Sequence, residues 1–344
     1  MKSDSPLISI LVAAWNEEAC LTTFLEEYRK LNYPNKELVL CAGGTDDTFQ
    51  IAVNWAAEDI IILEQKAGEG KFSALKQCFS ASSGDIIVLT DADCIISSAH
   101  IKQLIEPLIT HRLKAITGNF RPFDKKLSNG FVYCQWLQYV FPSVSTTCDI
   151  SNRHILTGAC SAIHRDLFEA AYNTNSTNLI GEDFYLTLYI QNLGHQIGLL
   201  PNCTIQTRFP ETIKDYIIQR SRWRRTKWIY FLKMGLKDFK DVIVFLKELV
   251  VESINFLFVL VLILPLLFGL NGLLILLITW LAIFVYYLRK LNARNQFVLG
   301  HFSYTTSFSY TELYLNYFKL LYANSISILH TSISLLLPHL RNRW

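Results

Sequence analysis

The stretch Ser83-Gly84-Asp85-Ile86-Ile87-Val88-Leu89-Thr90-Asp91-Ala92-Asp93 reads as a short apolar strand that ends in two carboxylates. Four consecutive aliphatic residues between turn signals fit a strand buried on both faces, the habit of parallel sheets. Two carboxylates one residue apart at a strand end can face one cleft. Hard divalent cations take oxygen ligands and leave positions for phosphate, so Asp91-Ala92-Asp93 suits Mg²⁺ or Mn²⁺ bridging a diphosphate. A capped strand-to-helix turn, where Asp is common, explains the same residues without a metal.

The residues upstream repeat the pattern. Leu7 to Ala14 is another buried strand, followed by Trp15-Asn16-Glu17-Glu18 and a helix of about a dozen residues to Lys30. Glu37 to Leu40 is a second strand, ending in Cys41-Ala42-Gly43-Gly44-Thr45-Asp46-Asp47-Thr48, where Thr45 or Asp46 can cap a helix through Trp55. Ile60 to Leu63 is a third strand. Gly68-Glu69-Gly70-Lys71 then opens a helix from Phe72 to Ala81. The alternation predicts an α/β fold, a mostly parallel sheet with flanking helices. In such sheets ligands bind beyond the carboxyl ends of the strands, and each polar loop above falls at such an end.

Of the 344 residues, 51% are hydrophobic and 18% charged. Typical soluble domains carry roughly 25% charged residues, so disorder is excluded as the main character of the chain. A net charge of +3 argues against a dedicated nucleic-acid binder. The eight cysteines form no CxxC pair and no metal-finger spacing, and read as buried reduced thiols of a cytosol-facing domain. The short polar N-terminus leads into a strand and does not resemble a signal peptide.

Apolar residues concentrate after residue 245. The expectation is a domain at 1–210, basic interfacial helices at 211–246 and a membrane domain at 247–344. Its spans would lie at about 249–268 and 271–288, with a third span or an interfacial helix at about 314–338. Lys214, Arg220, Arg222, Arg224, Arg225, Lys227, Lys233, Lys237, Lys240 and Lys247 precede the first span, and Arg289, Lys290 and Arg294 follow the second. By the positive-inside rule, an integral membrane protein with its N-terminal domain in the cytoplasm is expected. The aromatic segment Phe131 to Phe141 reads equally as an interfacial helix or as core packing.

The ordered set Val12-Ala13-Ala14-Trp15-Asn16-Glu17, Gly43-Gly44-Thr45-Asp46-Asp47-Thr48, Gly70-Lys71, Asp91-Ala92-Asp93, Gly181-Glu182-Asp183 and Gln219-Arg220-Ser221-Arg222-Trp223 resembles the family 2 glycosyltransferases of GT-A fold. The membrane-attached, QxxRW-bearing branch is the closest likeness. It includes polysaccharide synthases and ceramide glucosyltransferase-like enzymes. The resemblance covers residues 7 to about 230.

It implies that Ala14, Asn16, Glu17, Gly43, Lys71, Asp91 and Asp93 bind a nucleotide-diphosphate sugar, UDP-linked by preference. Asp91 and Asp93 would also hold the metal, Mg²⁺ or Mn²⁺. Asp183 would be the base of an inverting transfer. Glu182, Gln219, Arg222 and Trp223 would serve the diphosphate or the acceptor, a lipid or glycan at the membrane. The family's usual acidic pair after the second strand falls on Cys41 and Ala42, which removes the expected carboxylate contact to the base. Gly158 to Arg165 resembles an acceptor-side strand and turn, with His164 either touching substrate or structural.

Gln219, Arg222 and Trp223 share one helix face at i, i+3 and i+4, whereas Arg220, Arg224, Arg225 and Lys227 are expected to face anionic lipid. Other readings are a processive polysaccharide synthase subunit, a nucleotidyltransferase, and a membrane-anchored nucleotide-sugar binding module without catalysis.

Overall fold

The computed structural model describes residues 5–110, 112–139, 149–151, 155–174, 181–234, 242–243, 245–246, 249–250, 269–301 and 308–336. In chain order the elements are β1 (Ile8–Trp15), α1 (Glu18–Arg29), β2 (Lys36–Gly43), α2 (Thr48–Val53), β3 (Ile60–Glu64), α3 (Gly70–Ala81), β4 (Ile86–Leu89), α4 (Ser98–Ile109), β5 (Ala115–Pro122), α5 (Gly130–Leu137), β6 (Asp149–Ser151), β7 (Ser161–His164), α6 (Arg165–Thr174), α7 (Glu182–Asn192), β8 (Ile197–Thr207), α8 (Ile213–Met234), α9 (Gly269–His301) and α10 (Tyr310–Leu336). The first seven elements, β1 to β4 with α1 to α3 between them, follow the alternation read from the sequence, with boundaries moved by at most three residues.

The chain divides into two compact units. One comprises Met1–Phe123 with Ser143–Arg208, the other Asp124–Pro142 with Phe209–Trp344. The first therefore does not run unbroken to residue 210, because the segment at 124–142 packs with the C-terminal unit.

The first unit is built on one sheet in the order β3-β2-β1-β4-β7-β5-β8-β6. β1 pairs in parallel with β2 and β4, β2 with β3, and β5 with β8. Among the described strands, β6 and β7 alone run against the rest. The β1 and β4 side chains Ile8, Ile10, Leu11, Val12, Ile87 and Leu89 are at most 1% exposed, as expected of central strands covered on both faces. β5 and β8 slip out of register between Gly118 and Asn119. Gly118 faces Leu200 but Asn119 faces Thr204, so three β8 residues stand unopposed before pairing resumes as far as Pro122 and Thr207. This bulge advances the end of β8.

At the amino ends of the strands, Glu37 ties β1 and β2 to the turn before β4. Its Oε1 accepts from Ser9 Oγ at 2.6 Å, Ser83 N at 2.6 Å and Gly84 N at 3.2 Å. The Gly84 carbonyl accepts from Arg165 Nε at 2.5 Å. Gly84 is required by space: a Cβ there would lie 2.6 Å from Ser9 N and 2.8 Å from the Ile8 carbonyl carbon. The seven described cysteines are free, and all but Cys20 are buried.

In the second unit, every residue of α5 is buried. Tyr133 Oη donates to Asn295 Oδ1 at 2.6 Å, and Gln135 Nε2 to the Pro210 carbonyl at 2.7 Å. The aromatic segment is thus core packing of this unit as far as Leu137, and not an interfacial helix. α8 packs along α10 through polar groups. Ser221 Oγ donates to the Ser327 carbonyl at 3.1 Å, Arg224 Nη2 to Asn324 Oδ1 at 2.6 Å, and Arg224 Nη1 to Ser327 Oγ. The Arg220 guanidinium stacks 4.6 Å over Trp223, 4.9 Å over Tyr216 and 5.2 Å over Tyr139. Arg220 and Arg224 are therefore drawn into the packing of the unit, where the sequence suggested lipid-facing cations.

Among the described residues, no helix is long and apolar enough to cross a membrane. The expected span at 249–268 lies almost wholly outside the described residues. The expected span at 271–288 falls within α9, which continues through Arg289, Lys290 and Arg294 to His301. The expected third at 314–338 falls largely within α10, whose Ser325, Ser327 and Thr331 are buried.

Gly84→Ala should lower stability to urea by roughly 1–3 kcal/mol, because the new methyl must displace the β1 backbone. Equilibrium unfolding followed by circular dichroism measures this. An unchanged midpoint would show that the turn before β4 has slack.

Candidate active site

The site lies at the carboxyl ends of the parallel strands. After β1, Asn16 turns the chain with φ of +58°, a left-handed conformation that Asn tolerates better than most residues. Its Oδ1 accepts from Thr45 N at 2.7 Å, and its own N–H donates to the Gly43 carbonyl at 3.1 Å. Glu17 N donates to Thr48 Oγ1 at 2.7 Å. The loops after β1 and β2 are thereby joined, with Asn16 exposed and Glu17 half-buried. Asp47, not Thr45 or Asp46, occupies the N-cap of α2, and Asp46 Oδ1 accepts from Thr48 N at 3.1 Å. The Ala14 side chain belongs to the hydrophobic core and so presents no side chain to a ligand. Cys41 and Ala42 are fully buried.

The central feature is an ion-paired cluster. Lys71 Nζ, from the first turn of α3, lies 2.6 Å from Asp91 Oδ1 and 2.8 Å from Glu182 Oε1. One ammonium thus joins the loop after β4 to the first turn of α7. Gly158 makes room for the junction, since a Cβ there would stand 2.9 Å from Lys71 Nζ and 3.2 Å from Glu182 Oε1. Burial works against the Lys71 ammonium, but the two carboxylates outweigh it and hold its pKa well above the ordinary lysine value.

Asp183 stands beside this cluster. Its Oδ1 accepts from Phe184 N at 2.7 Å, which orients the carboxylate at the helix start. Burial pushes its pKa up to about 6, with the Glu182 charge adding and Lys71 opposing. Burial likewise pushes Asp93 up to about 6, and the Asp91 and Glu17 carboxylates add to it. Asp91, Asp93 and Cys94 offer ligand atoms that all lie within 4.8 Å of one another. Hard carboxylate oxygens crowded together, that of Asp91 also paired with Lys71, fit a divalent cation. The sequence-derived residues Glu17, Lys71, Asp91, Asp93, Glu182 and Asp183 therefore converge.

Gln219, Arg222 and Trp223 belong to α8 of the second unit, with Arg222 and Trp223 exposed. His164 pairs with Ile86 at the opposite end of β4 from Asp91, and its Nε2 contacts the Leu108 carbonyl at 3.2 Å. It is a structural histidine. Two residues absent from the sequence reading reach the site from the end of β8. Thr207 Oγ1 donates to Asp93 Oδ1 at 3.2 Å, and the exposed Arg208 lends positive potential to Asp93. No local signal marks them, because the sheet order brings them across more than a hundred residues of sequence.

The family model described as glycosyltransferase like family 2 matches residues 5–226. The probable glycosyltransferase YdaM of Bacillus subtilis (strain 168) is 28% identical over 246 residues, which are 68% of this chain and 58% of that protein. The poly-beta-1,6-N-acetyl-D-glucosamine synthase of Staphylococcus epidermidis is 27% identical over 225 residues, 63% of this chain and 53% of that protein. The chain thus spans a little over half the length of these curated relatives. Among solved structures, the mannosyltransferase PcManGT from Pyrobaculum calidifontis, in complex with GDP-Man and Mn²⁺, superposes with a TM-score of 0.57. That match covers 98% of this chain and 88% of the other at 17% identity, a likeness of fold. With the family model spanning most of the chain and the α/β sheet carrying an acidic cluster at its strand ends, this protein belongs to glycosyltransferase family 2, with the GT-A fold.

Proposed function

We propose that this enzyme is a metal-dependent, inverting glycosyltransferase that moves a sugar from a nucleotide-diphosphate donor to a lipid-linked or glycan acceptor at a cytosolic membrane face. The observation that carries the reading is the Lys71 bridge, 2.6 Å to Asp91 and 2.8 Å to Glu182. It joins the donor-side carboxylates to the helix that bears the base. Asp91 and Asp93 would hold a divalent cation, which would supply neutralisation of the charge on the departing nucleoside diphosphate.

The chain's own groups do the rest. Asn16 and Glu17 line the donor end. Lys71 offers its ammonium to the diphosphate as a point charge. Asp183 takes the proton of the acceptor hydroxyl as that oxygen attacks the anomeric carbon from the face opposite the leaving group. The membrane placement rests on the apolar sequence at 249–268 and the basic residues before it. A glycan acceptor is supported by the likeness to the Staphylococcus synthase. The missing carboxylates at Cys41 and Ala42 leave the choice of base to other contacts.

A screen of nucleotide sugars against membranes carrying the protein tests the reading. Release of nucleoside diphosphate with a mass gain in the lipid or glycan fraction supports it, whereas pyrophosphate release would indicate nucleotidyl transfer.

Asp183→Asn should cut turnover by about 10²-fold or more while donor affinity stays within a few-fold of the parent; substantial turnover would remove Asp183 from the role of base. Excess chelator should stop transfer and added Mn²⁺ or Mg²⁺ should restore it, measured as diphosphate release. The base must be ionised, and its carboxyl titrates near pH 6. kcat/KM for the acceptor should therefore rise with pH through about 6 and level off above it. A profile flat from pH 5 to 8 would contradict this.

A further inference from the structure

We infer that Thr207, with Cys94 beside it, is a positioning residue that fixes the orientation of the Asp93 carboxylate that would hold the cation. The inference rests on Asp93 being a metal ligand, as proposed above. Asp93 Oδ1 accepts from Thr207 Oγ1 at 3.2 Å and from Cys94 Sγ at 3.7 Å. Neither bond uses Oδ2. A carboxylate with one oxygen held by two protein donors is fixed in orientation, and its Oδ2 is left clear of both donors.

The holders are themselves fixed. Thr207 and Cys94 are buried, and Cys94 N donates to the Asp91 carbonyl at 3.1 Å. The strand that delivers Thr207 is pinned one residue earlier, where Ile95 N donates to the Gln206 carbonyl at 2.9 Å. The β8 bulge sets the register that ends on Thr207 opposite Pro122. Hydrogen bonds that orient metal-binding groups commonly change metal affinity by roughly 10–100-fold when removed.

Thr207→Val keeps the shape of the side chain and removes only the donor. The test is titration of the full-length protein with Mn²⁺ alone, read as loss of the free-ion electron paramagnetic resonance signal. Thermal unfolding without metal is recorded alongside. Thr207→Val should weaken Mn²⁺ binding about 10-fold or more with its metal-free melting point near that of the parent. Thr207→Ser, which keeps the hydroxyl, should bind within a few-fold of the parent. Should Thr207→Val fail to fold, Thr207→Ala is read in the same way.

Parental Mn²⁺ affinity in Thr207→Val overturns this inference alone, as does equal weakening in Thr207→Ser. A parent that holds no Mn²⁺, or an Asp93→Asn protein that holds it as tightly, overturns the metal assignment and this inference together.

Discussion

One ammonium between two carboxylates organises the strand-end site of this protein. Asp91 sits after β4 and Glu182 opens α7, 91 positions apart in sequence, and without a cation they would repel at close quarters. Lys71 resolves that conflict from a third element, α3. The pair distances are short and Glu182 is buried, so the attraction is much less screened than on an open surface. For the transfer proposed above, a diphosphate would meet a lysine already placed, and the carboxylates that lysine leaves would be open to a cation. The strand-end site thus carries an internal counter-charge.

Much of this architecture can be read from the chain itself. Leu7 to Ala14, Glu37 to Leu40, Ile60 to Leu63 and Ile86 to Leu89 announce central strands because both faces of each are apolar. Asp91 and Asp93 stand where an open α/β sheet receives ligands. The roles that depend on pairing order are different. β8 lies beside β5, not beside its neighbours in sequence, and so Thr207 meets Asp93 for reasons no window of sequence contains. Strand alternation sends the Ala14 side chain into the core, which leaves its backbone as the part that could meet a ligand.

The C-terminal half shows where hydropathy alone falls short. An apolar helix face serves a bilayer or another helix equally well, and composition does not distinguish them. α5 was read as interfacial or internal on equal terms, and its complete burial decides between them for Gly130–Leu137. Arg220 and Arg224 looked like lipid-facing cations by their neighbours in sequence. Their guanidinium groups instead stack on rings and bond to α10, since arginine has donors in a flat fork that suits aromatic faces and side-chain oxygens.

The seam between α8 and α10 also has a mechanical meaning. Greasy helix contacts can slide by a fraction of a turn and recover most of their packing, because dispersion is nearly indifferent to direction. Ser221, Arg224, Asn324 and Ser327 meet through directional bonds instead, and a sliding motion would break them together. The rotation of α8 about its own axis is locked by residues a hundred positions downstream, so the azimuth at which it presents Arg222 and Trp223 is inherited from α10.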